Sequence, residues 1–281
     1  MGTLLRCAGL AFVRSTDMGL TWTSVSAGFS GASGSYIETL ATDGAGNWLA
    51  ATADGQFRRS TNDGVTWSSV TAMFGSTTYA GVYEVATSGA MWVSFGNSSL
   101  SAQLPKKATS VGGSWVNMPI SGLSQSYPSR AEYGGGTWIV QNNNNIYRSV
   151  DSGLTWVGSG APHPRIAQIR TDGNGVWVAV GVQDYTAHKL IVARSTDDGL
   201  SWSTTTFDDA FESPLVATNG YGTWVVTGGG GKIKRSVDNG ATWGANTHAL
   251  PVGLYGNGHV VCSGGLWLIL STAAPVQIFR S

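Results

Sequence analysis

Glu38, Glu84, Glu132 and Glu212, with the phenols of Tyr36, Tyr83 and Tyr127, are the side chains of this 281-residue chain whose types could carry acid–base or nucleophilic chemistry. Arg130, Arg165 and Arg170 add guanidinium groups able to grip a carboxylate. Spacing is a stronger signal than type, and here it is absent. His163, His188, His248 and His259 share no metal-ligand spacing, Cys7 and Cys262 make no zinc pair, and no G-x-S-x-G elbow occurs. The glycines of 228–232 resemble a phosphate loop only superficially, because Lys232 is followed by Ile233 instead of Ser or Thr. No metal and no cofactor is therefore expected.

What the sequence does specify is the scaffold. All twelve tryptophans fall into two interleaved series, Trp22, Trp67, Trp115, Trp156, Trp202 and Trp243, and Trp48, Trp92, Trp138, Trp177, Trp224 and Trp267. Each series repeats every 39 to 48 residues, the mark of one supersecondary unit copied along a chain. The first series closes a readable motif: Arg14-Ser-Thr-Asp-Met-Gly-Leu-Thr-Trp22 returns at 148–156, 194–202 and 235–243. A fifth copy carries Asn62 in the Asp slot, and a sixth has decayed to Ala108-Thr-Ser-Val-Gly-Gly-Ser-Trp115. These residues suit a tight turn between strands. Asp oxygens accept backbone N–H bonds, Gly supplies a positive φ, and the indole packs beneath the hairpin.

The second series opens the other half of each unit. Segments such as Ala-Thr-Asp-Gly-Ala-Gly-Asn-Trp48 and Arg-Thr-Asp-Gly-Asn-Gly-Val-Trp177 read as a short apolar strand, a Gly-rich turn and a strand begun by Trp. One unit is then four strands, expected for the second copy at 36–42, 48–52, 56–60 and 66–70. Four-stranded units in series are the blades of a β-propeller. The first copy, starting at 3–8, lacks an inner strand, and the last ends on a third strand at 277–280. The fold class expected is all-β: one propeller domain over 1–281, seven-bladed with incomplete first and last blades and closed by their packing, a six-bladed ring being the alternative.

Composition agrees and excludes several functions. Forty glycines among 42% apolar and 10% aromatic residues indicate hairpins, not disorder. Charge is sparse at 11% and balanced to zero, so neither nucleic acid nor an anionic membrane is expected as a partner. No apolar stretch reaches the ~20 residues of a membrane-spanning helix. The apolar segment 4–13 is interrupted by Arg6 and aligns with strands of the other units, so it reads as fold and not as a signal peptide. A surface-type protein without an export signal is expected on a virion surface or otherwise extracellular as part of a particle, the alternative being cytoplasmic. Cys7 and Cys262 are expected as buried thiols, with a closure disulfide as the other option.

The S-x-D-x-G-x-T-W pattern resembles the Asp box, or bacterial neuraminidase repeat, of sialidase-like β-propellers, and the resemblance spans nearly the whole chain. It implies a fold more than an activity, since Asp boxes occur in sialidases, non-enzymatic lectins and sortilin-type receptors, photosystem assembly factors and viral adhesins. In those families the boxes sit on the face opposite the ligand. An active sialidase also carries a Phe/Tyr-Arg-Ile-Pro signature, three arginines converging on a carboxylate, and a Tyr nucleophile activated by Glu. This chain lacks the signature, and six of its eleven arginines (14, 59, 148, 194, 235 and 280) occupy the repeat's own Arg-Ser slot.

The non-repeat residues lie in the connections between units, at the end away from the boxes. They are aromatic and amide-rich: Phe29 and Tyr36; Phe74, Tyr79 and Tyr83; Gln125 and Tyr127; Asn142 to Asn145; Tyr185 and His188; Phe207 and Phe211; Tyr255 and Asn257. Apolar ring faces beside hydrogen-bonding groups are what a pyranose requires, although any one of these aromatics could instead wedge blades together. The function expected is a non-enzymatic carbohydrate-binding or adhesion propeller, serving as a receptor-binding or accessory component of a phage or other virion. Its ligand residues are Tyr36, Glu38, Tyr83, Glu84, Tyr127, Arg130, Tyr185 and Tyr255, with no catalytic residue. The partners expected are a surface glycan or polysaccharide and other copies or particle proteins. The alternatives are a sialidase-type glycoside hydrolase and an intracellular assembly-factor scaffold.

Overall fold

A computed structural model describes residues 2–31, 36–70, 80–98, 105–118, 128–142, 145–159, 165–245, 247–248, 259–263, 265–270 and 278–280. The paired strands are antiparallel and form seven sheets, taken here in chain order. The first holds β1 (Leu4–Ala8), β2 (Ala11–Ser15) and β3 (Thr23–Ser26), and the second β4 (Ile37–Thr42), β5 (Trp48–Thr52), β6 (Phe57–Ser60) and β7 (Ser68–Val70). The third holds β8 (Ala80–Thr87), β9 (Trp92–Ser98), β10 (Lys106–Ala108) and β11 (Val116–Asn117), and the fourth β12 (Pro128–Gly134), β13 (Thr137–Asn142), β14 (Asn145–Ser149) and β15 (Val157–Gly158). The fifth holds β16 (Ile166–Thr171), β17 (Trp177–Val182), β18 (Lys189–Ser195) and β19 (Ser203–Ala210), and the sixth β20 (Leu215–Thr218), β21 (Trp224–Gly228), β22 (Lys232–Ser236) and β23 (Thr247–His248). The seventh holds β24 (His259–Ser263), β25 (Leu266–Leu270) and β26 (Ile278–Arg280). This is a β-propeller architecture; among the described residues it has seven sheets, with three strands in the first and last.

The chain packs as two compact units, Met1–Tyr133 with Ser149–Val157, and Gly134–Arg148 with Gly158–Ser281. In each, the core lies between successive sheets. In the first unit Phe12 stacks on Trp67 at 4.4 Å, and Leu49, Phe57, Val85 and Trp92 form the next cluster. In the second unit Ile139, Ile146, Ile169 and Trp177 make one cluster, and Val180, Leu190, Phe211 and Trp224 another. Strands β5 and β17 are buried along their whole length, so both of their faces are apolar and their sequences do not alternate.

The two tryptophan series have different tasks. Trp92, Trp177 and Trp224 fill the space between sheets, and Trp138 is buried. Trp22, Trp67, Trp156 and Trp243 close the boxes, each donating its indole N–H to the box glycine carbonyl at 3.1 Å. Within a box, Gly19 N–H donates to Ser15 Oγ at 2.8 Å, while Asp17 accepts from the Thr21 N–H at 2.9 Å and the Thr21 hydroxyl at 2.6 Å. Glycine is not the only left-handed residue. Met18, Asp63, Ser152, Asp198 and Asn239, each just before the box glycine, also have φ between 56° and 58°, a conformation that costs an L-residue roughly 1–2 kcal/mol.

That left-handed residue is a junction. Its N–H donates to the second glycine of the same sheet's other turn, as in Asp63 to Gly46, Asp198 to Gly175 and Asn239 to Gly222. Its carbonyl accepts the Arg Nε of the preceding copy: Arg14 to Asp63 at 2.7 Å, Arg148 to Asp198 at 2.7 Å and Arg194 to Asn239 at 2.6 Å. The Arg of the Arg-Ser slot is therefore a clasp between consecutive boxes. The decayed third copy breaks this pattern: Arg59 Nε donates to Ser68 Oγ at 3.3 Å, and a Cβ on Gly112 would lie 1.7 Å from Arg59 Nη1.

The box carboxylates set an acid limit. The Thr155 hydroxyl and N–H hold Asp151 down from the ordinary 3.8 to about 2, and Ser201 does the same for Asp197. Asp17 and Asp238 are lowered by Thr21 and Thr242. A depressed folded-state pKa contributes stability that is complete above the unfolded value and is lost as pH falls through the folded one. Urea-unfolding stability should thus fall between about pH 4 and pH 2. Asn62 makes the same bonds without a charge, its amide donating to Thr66 Oγ1 at 2.8 Å and its oxygen accepting from the Thr66 N–H at 2.9 Å. Asn62→Asp should steepen the acid loss and Asp151→Asn should shallow it. Unchanged slopes in both would contradict this assignment.

Candidate functional site

At the end of the sheets away from the boxes, the first unit brings four expected ligand residues together in two pairs. Tyr36 precedes β4 and is 54% exposed. Glu38 follows at a bulge between Ile37 and Thr39, and its carboxylate raises the Tyr36 phenol pKa by its charge and by accepting the phenol proton in a hydrogen bond. That carboxylate therefore holds a proton on Tyr36 and makes the pair a surface donor and acceptor, not a phenolate.

The second pair is structural and polar at once. Strand β8 has the same bulge, between Val82 and Glu84. Glu84 Oε1 accepts from the Thr39 hydroxyl at 2.9 Å, and Oε2 lies 3.7 Å from Arg130 Nη1. The Glu84 side chain is largely buried at 17% exposure, whereas that of Arg130 is 46% exposed. The relay Thr39, Glu84, Arg130 thus runs across the first strands of three consecutive sheets and reaches a half-exposed guanidinium.

Thr39 was not among the residues expected, yet its position carries a signal. It lies three residues before Thr42, as Glu84 lies before Thr87 and Gln168 before Thr171, and each of these threonines pairs with the Trp that opens the next strand. The side chain at this position reaches the next sheet. Thr39 Oγ1 accepts the Val85 N–H at 3.1 Å, and in the second unit Gln168 Oε1 accepts the Val216 N–H at 2.6 Å. Edge strands would otherwise leave such donors unpaired, which is costly once they are buried.

Tyr185 belongs to the second unit, 71% exposed, with the Arg165 guanidinium 4.0 Å from its ring centroid. Tyr127 and Tyr255 lie outside the described residues, as does the side chain of Tyr83. Three other aromatics of the connections are wedges. Phe29 packs under Arg58 at 5.1 Å, Phe207 under Lys234 at 4.7 Å, and Phe211 is fully buried.

Away from the boxes, the Ala187 N–H and Thr186 hold Asp184 down to about 2, and Lys189 lowers Asp208. Among the described residues no group of three or more His, Cys, Asp or Glu is placed to hold a metal ion, and no helix is long and apolar enough to cross a membrane. Cys7 and Cys262 are free thiols, and burial pushes Cys7 up to about 11.

These features define a β-propeller whose repeated turns resemble the Asp box. No family model matches the chain, and no curated protein matches its sequence. Solved structures do match it in fold. One is YCF48 bound to D1 peptide, with a TM-score of 0.71 at 12% identity over 99% of this chain and 89% of that one. A second is the GH74 xyloglucanase from Xanthomonas campestris, with a TM-score of 0.65 at 16% identity, covering 96% of this chain and 49% of the enzyme. The Cps50 (Swd1) β-propeller domain of Myceliophteria thermophila matches with a TM-score of 0.62 at 10% identity, over 99% of this chain and 96% of that one. At such identities the likeness is one of fold. This chain spans about half the length of the xyloglucanase.

Proposed function

We propose that this protein is a non-catalytic carbohydrate-binding propeller whose ligand meets the end of the sheets opposite the Asp boxes. The observation that carries the reading is the pair of polar assemblies at that end. Glu84 is tied to Thr39 and Arg130, and Tyr36 is exposed beside Glu38. A carboxylate already held by a hydroxyl and a guanidinium is a fixed acceptor able to orient sugar hydroxyls. Tyr83, Tyr127, Tyr185 and Tyr255 complete the proposed set. Stacking contacts of this kind are worth only about 0.5–1.5 kcal/mol beyond area burial, so useful attachment needs many copies. Presentation on a virion or another particle surface supplies them, with a bacterial surface polysaccharide as the receptor.

The match to YCF48 with a bound D1 peptide favours a second reading, a scaffold that holds a peptide segment. Clustered protein applied to a glycan array, to whole bacterial cells and to a peptide array separates the two. The first reading expects glycan and cell binding without release of reducing sugar or sialic acid. Binding confined to peptides would replace it with the scaffold, and turnover of a sialoside or polysaccharide would replace it with the enzyme.

A further inference from the structure

Resting on the glycan-binding reading, we propose that Tyr185, seated on Arg165, is a preformed stacking subsite in the second unit for the apolar face of an uncharged pyranose. Arg165 is its positioning residue. The ring is exposed at 71% although one face is taken by a guanidinium at 4.0 Å, which leaves the other face for a ligand.

The loop under the ring is fixed by its own hydrogen bonds. Asp184 Oδ1 accepts the N–H groups of Thr186 at 2.8 Å and Ala187 at 2.6 Å, and the Thr186 hydroxyl at 2.8 Å. Gln183 N–H donates to Lys189 O at 2.9 Å, and His188 O accepts the Phe211 N–H at 2.8 Å. Arg165 is tied to the same strand, its carbonyl accepting the Val182 N–H at 3.2 Å. A ring held before the ligand arrives forgoes the ordering penalty of a free aromatic side chain, which is worth roughly 2- to 10-fold in affinity.

The charge class follows from the same contacts. With a cation on one face, the ring offers less negative potential on the other, so an amino sugar's ammonium gains little there and meets like charge. The Asp184 carboxylate in the loop attracts what Arg165 repels and repels what Arg165 attracts, so neither a cationic nor an anionic sugar gains net charge attraction there. What the site offers is the ring face, which suits an uncharged pyranose.

The test is affinity electrophoresis in native gels cast with dextran, mixed-linkage β-glucan, galactomannan or glycol chitosan. Wild-type protein should be retarded by at least one uncharged polysaccharide and not by glycol chitosan. Tyr185→Ala should weaken that binding about tenfold, and Tyr185→Phe should stay within about twofold. Arg165→Met should weaken it by about 2- to 10-fold and relax the discrimination against glycol chitosan, a change of selectivity that a merely structural arginine would not produce. Wild-type affinity in Tyr185→Ala, with binding lost in Tyr36→Ala, would overturn the subsite and leave the glycan reading standing. No retardation of the wild type by any uncharged polysaccharide would overturn the subsite, and a blank glycan array as well would remove the reading beneath it.

Discussion

Replacing Asp209 with Ala should destabilise the protein by about 3 kcal/mol. Its Oδ2 lies 2.8 Å from Lys234 Nζ, and the lysine side chain is only 5% exposed. The ammonium sits 4.7 Å from the Phe207 ring centroid and 3.5 Å from Gly244 O. Without the carboxylate those two weak partners must stabilise a buried charge. The effect falls at the lower end of the range for broken buried pairs because Asp209 itself is 38% exposed and solvent screens part of the attraction. Lys234→Met should behave differently. It leaves behind a carboxylate that water can reach and an apolar side chain against Phe207, so the change should stay within about 1 kcal/mol of wild type. Urea unfolding of the two variants checks the asymmetry; equal losses would mean that the ion pair is not what stabilises this contact.

Gly181→Ala should cost as much or more, about 3 kcal/mol, for a steric reason. The site is next to the last residue of β17, and a Cβ there would lie 1.9 Å from Arg165 O and 2.7 Å from its carbonyl carbon. Both are backbone atoms, so no rotamer change relieves the clash. Strand β16 must move away from β17, breaking the Val182 to Arg165 hydrogen bond and shifting the residue on which Tyr185 rests. The variant should therefore lose both stability and Tyr185-dependent polysaccharide binding. Wild-type stability would show that the two strands are not this close.

Repetition made the strands legible. The expected strand 48–52 is found as Trp48–Thr52, 56–60 as Phe57–Ser60, 36–42 as Ile37–Thr42 and 3–8 as Leu4–Ala8. Every copy reports on the others, and an error in one would break the alignment. The box turn was legible for the same reason, except that the left-handed residue before the glycine varies among Met, Asp, Ser and Asn, and so shows no type signature. Contacts between copies were much harder to read. Arg14, Arg148 and Arg194 were recognised as a recurring slot, but their acceptors are backbone carbonyls, which have no residue identity. Lys234 looks like any strand lysine until Asp209 and Phe207 of the preceding sheet are placed beside it. Among the ligand residues, types suggested Glu84 and Arg130 separately, whereas their pairing depends on matching bulges in neighbouring first strands, for which Thr39 was the missing link.

The central claim is a division of labour: the box end is scaffold and the opposite end binds. The most direct measurement compares attachment of clustered protein to bacterial cells and polysaccharide for two variants that remain folded. Tyr36→Ala combined with Arg130→Ala alters the exposed ends of both polar assemblies and should reduce attachment about tenfold or more with little change in unfolding midpoint. Asp151→Ala removes box hydrogen bonds and should lose about 1 kcal/mol of stability, by analogy with a lost helix cap, while attaching as wild type does. The reverse pattern, attachment lost with Asp151 and kept without Tyr36 and Arg130, would contradict the account.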